Sequence, residues 1–174
     1  MMSFIAIIAL NLTTLLKLPD NTAVQDVMFM ARLACSEAGP NKAEAKRVLR
    51  VVYNRSKLRG TSVMHEAKRP GQFYYKNCQG KRESWLKWHH IEFAIEAIRG
   101  TIRAEAVLNA STVTHFGTTK RLNQPHSRCK GYTIRQVWHW YGLRKVLTTE
   151  VGHEFYRKSK GKPGCPVKKS ASDQ

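Results

Sequence analysis

Apolar positions recur at helical spacing through the first hundred or so residues and give way to strand-like patterning later in the chain. Val24, Val27, Met28, Ala31, Ala34 and Cys35 predict an amphipathic helix over 23–38, opened by the capping box Thr22-x-x-Gln25 and stopped by Gly39-Pro40. Asn41-x-x-Glu44 opens a second helix, with Ala45, Val48, Leu49 and Val52 on its buried face and an end near Gly60. Thr61-Ser62 caps a short third helix through Ala67, closed by Arg69-Pro70-Gly71. Residues 72–82 read as a loop. A further long helix is expected from Ser84 to Arg99, with Trp88, Ile91, Ile95 and Ile98 inward and Gly100 as its stop.

Ser111 to Phe116 is rich in strand formers, and Lys120–Gly131 reads as a basic exposed loop. Tyr132–Leu147 fits either state and is taken as helix, whereas Val146–Tyr156, with Gly152 in its second half, reads as a hairpin. Beyond Arg157 the composition is that of a solvated basic tail, unless Cys165 ties it down. The fold class expected is α+β: mainly helical, with a small β element. One domain is expected over 21–157, between an apolar segment over 1–20 and a basic tail over 158–174. The run Phe4–Leu10 lacks a preceding cation and a small-residue cleavage site, so it reads either as a signal or anchor or as a helix packed on the domain.

Composition narrows the classes. With 42% hydrophobic and 24% charged residues the chain is globular, and no run of 18 apolar residues offers an ordinary spanning helix. Thirty Lys plus Arg against twelve Asp plus Glu leave a charge of +18, a field that attracts nucleic acid, an anionic membrane face or the anionic bacterial wall alike. Cys35, Cys78, Cys129 and Cys165 contain no Cys-x-x-Cys pair; they suit two disulfides in any of three pairings, or four thiols. His89-His90 points two ways on a helix, His126-x-x-Cys129 is one isolated pair, and no His-Glu-x-x-His occurs, so no metal site is expected.

Carboxylate chemistry must come from twelve acids. Glu37 stands in the last turn of the first helix, three residues beyond Ala34, at the border of the apolar stripe. The partial negative charge of a helix C-terminus and partial burial would both raise its pKa and suit it to general-acid work; the alternative is an ordinary surface Glu near a helix end.

The ordered strings Ala31-Arg32-Leu33, Ser36-Glu37-Ala38-Gly39, Val51-Val52-Tyr53-Asn54-Arg55, Arg69-Pro70-Gly71-Gln72-Phe73, Val113-Thr114-His115-Phe116 and Gly152-His153-Glu154-Phe155-Tyr156-Arg157 span about Val27 to Arg157. Together they resemble the cell-wall hydrolase family of the spore-cortex-lytic enzyme type. The resemblance implies a lysozyme-like catalytic domain that cleaves peptidoglycan between N-acetylmuramic acid and N-acetylglucosamine without a cofactor. It implies a lytic transglycosylase with one essential Glu, a role that falls on Glu37. Gln72 and Phe73 match an element bordering the substrate groove: the Gln72 amide could donate to an acetamido carbonyl while Phe73, Tyr74 and Tyr75 stack on sugars, or the aromatics could fill the core beneath the loop. His115 and Phe116 match a strand lining the cleft opposite the acid, although a core histidine fits as well. Tyr53 and Asn54 read as structural, and His153 and Tyr156 as holding the terminal hairpin together. The chain departs from the family in Gly39-Pro40-Asn41-Lys42, where an Arg-Gly-Glu-like turn is usual, and in a longer, more basic Lys120–Val151.

No obvious second catalytic acid emerges, with Glu66 and Glu154 the remaining candidates, so transglycosylation is favoured over hydrolysis. The expected partners are peptidoglycan and the anionic wall surface, met as a monomer in the wall, periplasm or exterior. A phage product released by a holin or carried in the virion is the other setting. The rivals are a hydrolytic muramidase and a non-enzymatic wall- or nucleic-acid-binding module using Lys120–Lys130, Arg144-Lys145 and the aromatics Trp138, Trp140 and Tyr141. No named nucleic-acid motif is present, so no specific nucleic-acid partner is expected.

Overall fold

A computed structural model describes residues 24–70, 72–73, 78, 84–110, 112–162 and 164–166. The apolar segment over 1–20, the capping residue Thr22, and Tyr74 and Tyr75 lie outside the described residues, as does the tail from 167. The fold is α+β, and the chain divides into two compact units with the boundary between Asn109 and Ala110, inside the stretch expected as one domain.

The first unit is helical. It comprises α1 (Val24–Ala38), α2 (Lys42–Arg59), the short α3 (Val63–Ala67), α4 (Trp88–Arg99) and a 3-10 turn at Ala106–Asn109. The helices α1, α2 and α4 pack on one another through the stripes that spacing predicts. Val27, Met30, Leu33 and Ala34 meet Ala45, Val48, Leu49 and Val52 of α2 and Ile91, Ala94 and Ile95 of α4 in the buried core. Only three residues join α1 to α2. Gly39 takes a left-handed φ of +61° and donates its N–H to Cys35 O at 2.8 Å, and Asn41 Oδ1 then accepts from Glu44 N at 3.1 Å to start α2. Arg50, buried in α2, donates to Ile102 O at 2.5 Å and Asn109 O at 2.7 Å, and Asn54 Nδ2 donates to Leu108 O at 2.9 Å. Those bonds satisfy carbonyls of the segment after α4, which has few backbone partners of its own.

The helix expected from Ser84 begins at Trp88, and Trp88 is 55% exposed rather than inward. The buried place at the start of α4 is taken by His90 instead. Its Nδ1 accepts from Lys87 N at 2.9 Å, so Nε2–H is the donor to Gly39 O at 2.9 Å. A polar tie between α4 and the α1–α2 corner therefore replaces the apolar contact that periodicity predicted.

The second unit is a three-stranded antiparallel sheet with two short helices: β1 (Val113–Thr118), α5 (Thr119–Leu122), α6 (Ile134–Trp140), β2 (Leu143–Thr148) and β3 (His153–Lys158). The strand order is β1-β3-β2, and β2 and β3 form the expected hairpin around Gly152. The stretch 132–147 is helix only to Trp140 and strand from Leu143. Gly142 makes the change, with φ +81° and so close to the chain that a Cβ there would lie 2.5 Å from Lys160 O. At the other end of α6, Thr133 Oγ1 accepts from Gln136 N at 3.3 Å while Gln136 Oε1 accepts from Thr133 N at 2.8 Å, a capping box. The stretch expected as an exposed loop begins with the helical turn α5, whose Leu122 joins Leu143, Tyr156, Ile134 and Trp138 in a small core. A Cys129–Cys165 disulfide fastens the segment after β3.

Candidate active site

Cys35, on the buried face of α1, forms a disulfide with Cys78 at a Cα–Cα distance of 6.0 Å. One residue on, Ser36 Oγ accepts from Cys78 N at 3.1 Å. The last turn of α1 is thus fastened twice to residue 78. Glu37 follows immediately and is half-buried at the border of the stripe, as its spacing from Ala34 predicts.

Arg55 faces this end from α2. It is buried, its Nη1 donates to Gln72 Oε1 at 2.9 Å, and its guanidinium lies over the Phe73 ring at 4.9 Å from the centroid. Burial lowers its pKa to about 10, against the opposing pull of the negative charges of Glu66 and Glu37. At neutral pH it is therefore a cation within electrostatic range of Glu37. Gln72 is exposed and Phe73 half-buried. With Oε1 accepting from Arg55, the Gln72 amide nitrogen is the part of that side chain able to donate to a ligand. Glu66, fully buried, pairs with Arg59 Nη1 at 2.5 Å and Arg69 Nη1 at 3.7 Å.

Of the residues singled out from sequence, Glu37, Gln72 and Phe73 are thus gathered around one guanidinium within the first unit. His115 and Phe116 belong to the second unit and, as neighbours on β1, point to opposite faces of the sheet. His115 pairs across the strands with Tyr156, bonds Thr114 Oγ1 through Nδ1 at 2.9 Å and meets Trp138 edge-on at 5.6 Å. Phe116 stacks on Phe155 at 5.8 Å and meets His153 at 6.1 Å. Asn54 and Tyr53 make structural contacts: the first donates to backbone, and the second has the cations of Arg50 and Lys57 over its ring and lies against Gly100.

Glu154, considered from sequence as a second acid, is committed elsewhere. It is 2% exposed; Arg135 grips it through both nitrogens (Nη2 to Oε1 at 2.8 Å), Tyr156 OH donates at 2.6 Å and Thr119 Oγ1 at 2.9 Å. Burial pushes its carboxyl up, but those donors outweigh it and hold the pKa at about 2. Tyr156 is pushed up in turn by burial and by the carboxylate.

Two residues that matter here were passed over in sequence. Arg55 follows Val48 and Val52 on the buried stripe of α2, and an arginine on such a stripe is itself a signal. Trp85, 40% exposed, lies over Gly39: a Cβ there would sit 3.9 Å from the indole Cε3. Among the described residues no group of three or more His, Cys, Asp or Glu could hold a metal ion, and no helix is long and apolar enough to cross a membrane. Comparison with models of protein families, with characterised proteins and with solved structures finds no match to this chain.

Proposed function

We propose that this protein cleaves the glycan strand of bacterial peptidoglycan between N-acetylmuramic acid and N-acetylglucosamine, as a lytic transglycosylase with Glu37 as acid and then base. The ordered family strings suggest it, and one grouping supports it: a half-buried carboxyl, an outward amide and an aromatic ring collected about Arg55. Glu37 donates its proton to the bridging oxygen as positive charge develops at the muramic C1. The carboxylate left behind lies in the field of Arg55 and takes the proton of the muramic C6 hydroxyl, whose oxygen closes on C1 as a 1,6-anhydro ring. The Gln72 amide nitrogen donates to an acetamido carbonyl, and Phe73 offers an edge to a sugar.

A hydrolase of the two-carboxylate kind needs a second acid, and both candidates for it, Glu66 and Glu154, are held in arginine pairs. Base stacking by Trp138 is opposed by its packing between the rings of His115 and Tyr156. The two disulfides suit the wall, periplasm or exterior, where the basic field would hold the enzyme, a monomer in this proposal, on its polymer. Digestion of purified sacculi followed by mass spectrometry tests the proposal. The wild type is expected to release 1,6-anhydro ends, and Glu37→Gln to cut some 10²–10⁴-fold more slowly. Reducing ends would make it a hydrolase, and an undiminished Glu37→Gln would overturn the assignment.

A further inference from the structure

We infer that the face shared by α2 and α4 is a second glycan-binding surface, a neutral groove bordered by the exposed Trp88; its ligand class rests on the function proposed above. A groove of about 790 Å³ on the first unit is lined by Lys42, Lys46, Trp88, Glu92, Phe93 and Glu96, a size within the ordinary range of ligand sites. Trp88 at its edge is 55% exposed and Trp85, three residues before, 40%. Bulky indoles left in water this close together are a binding signal rather than a core.

Charge selects the ligand. In a chain of +18 this lining is balanced, two lysines against two glutamates, with Lys46 paired to Glu96 at 3.4 Å and lying over the Phe93 ring at 4.8 Å. A polyanion finds no surplus of cations here. An uncharged polyol does find what it needs: apolar ring faces meet the exposed Trp88 indole, while hydroxyls find acceptors in Glu92 and Glu96 and a donor in Lys42. Trp85 lies over Gly39, two residues past Glu37, and its Cα is at most roughly 11 Å from that of Trp88. His90 fixes the start of α4 against Gly39 O, so the pair of indoles is held in place relative to that corner. The surface keeps hold of the glycan strand independently of the basic field.

The test uses the full chain carrying Glu37→Gln, a hexamer of N-acetylglucosamine, and calorimetric and fluorescence titration at about 1 M salt, where charge is screened beyond about 3 Å. Binding is expected, weakened about tenfold by Trp88→Ala, the scale of one aromatic stacking contact, less by Trp85→Ala, and largely kept by Trp88→Phe. Glu92→Ala should weaken it without touching an indole. Equal affinity in parent, Trp88→Ala and Trp85→Ala, no binding by the parent, or displacement by an oligonucleotide at that salt would overturn the inference. Hexamer binding that depends on Trp88 in a protein that leaves sacculi intact would sink the cleavage and spare the groove. Cleavage lost in Glu37→Gln with binding indifferent to Trp88 would do the reverse.

Discussion

Glu154 in the sheet unit and Glu37 in the helical unit each stand near an arginine, yet their surroundings differ. Glu154 lies on the central strand and takes donors from α5, α6 and its own strand, so every lone pair is spoken for and the carboxyl stays ionised down to about pH 2. Glu37 lies at a helix end, half-exposed, and the arginine near it is shared among the Gln72 amide, the Phe73 ring and the charges of Glu66 and Glu37. An acid closed off by four donors ties its elements together, whereas a half-exposed one is open to solvent, which is what the proton transfer proposed for Glu37 needs. Charge is divided in the same sense: thirteen of the thirty cations but only three of the twelve acids follow Asn109, so most of the carboxyl inventory sits in the first unit.

The contrast can be broken most sharply at the first disulfide. Replacing Cys35 and Cys78 by Ser opens a 43-residue separation and should cost the helical unit up to about 4 kcal/mol on the chain-entropy account, read as a lowered midpoint in urea. Cleavage of sacculi should fall further than stability, because the same bond fastens the end of α1 beside Glu37. Cys129 and Cys165 to Ser, with a comparable separation of 36, should lower stability by a like amount without that extra loss. Equal loss of cleavage in both pairs would erase the distinction between the units.

The next effect is at Glu154. Glu154→Gln removes the anion that Arg135 and Tyr156 share and should destabilise the sheet unit by about 3 kcal/mol. Its folded pKa lies below the ordinary value, so its stabilising contribution is complete above that value and drains away as pH falls towards about 2. An acid titration followed by circular dichroism should show a steeper decline between about pH 4.5 and 2 in the wild type than in Glu154→Gln. The smallest effect concerns Gln72, exposed, whose amide oxygen accepts from Arg55. Gln72→Ala should change stability by no more than about 0.5 kcal/mol while lowering cleavage several-fold, and a neutral outcome in both would remove Gln72 from the site.

Much of the helical unit was legible in sequence because its rules are local. The spacing of Val48, Val52 and their neighbours, the Asn41 and Ser62 caps and the glycines at 39, 60 and 100 placed α1 to α3 and the end of α4 almost to the residue. The start of α4 was not legible, since a buried histidine bonded to a carbonyl 51 positions away has no periodicity to betray it. In the sheet unit the helical reading of 132–147 failed because Gly142 turns the chain for a tertiary reason, the close passage of Lys160. Glu37 was visible as an acid at the border of a stripe, but the arginine that defines its surroundings was not, because its partners are dispersed at 66 and 72. The separation of His115 from Phe116 follows from strand alternation and could have been drawn from sequence once β1 was accepted.

The order β1-β3-β2 also bears on synthesis. The middle strand is the last made, so neither edge has its neighbour until residue 158 has left the ribosome, and the bond from Cys165 comes later still. The helices of the first unit, by contrast, are all made by residue 99 and can settle while the remainder is being translated. During that interval β1 is a nascent strand with no partner, and the excess of thirteen cations over three acids after Asn109 gives it a mutual repulsion that discourages pairing with another copy.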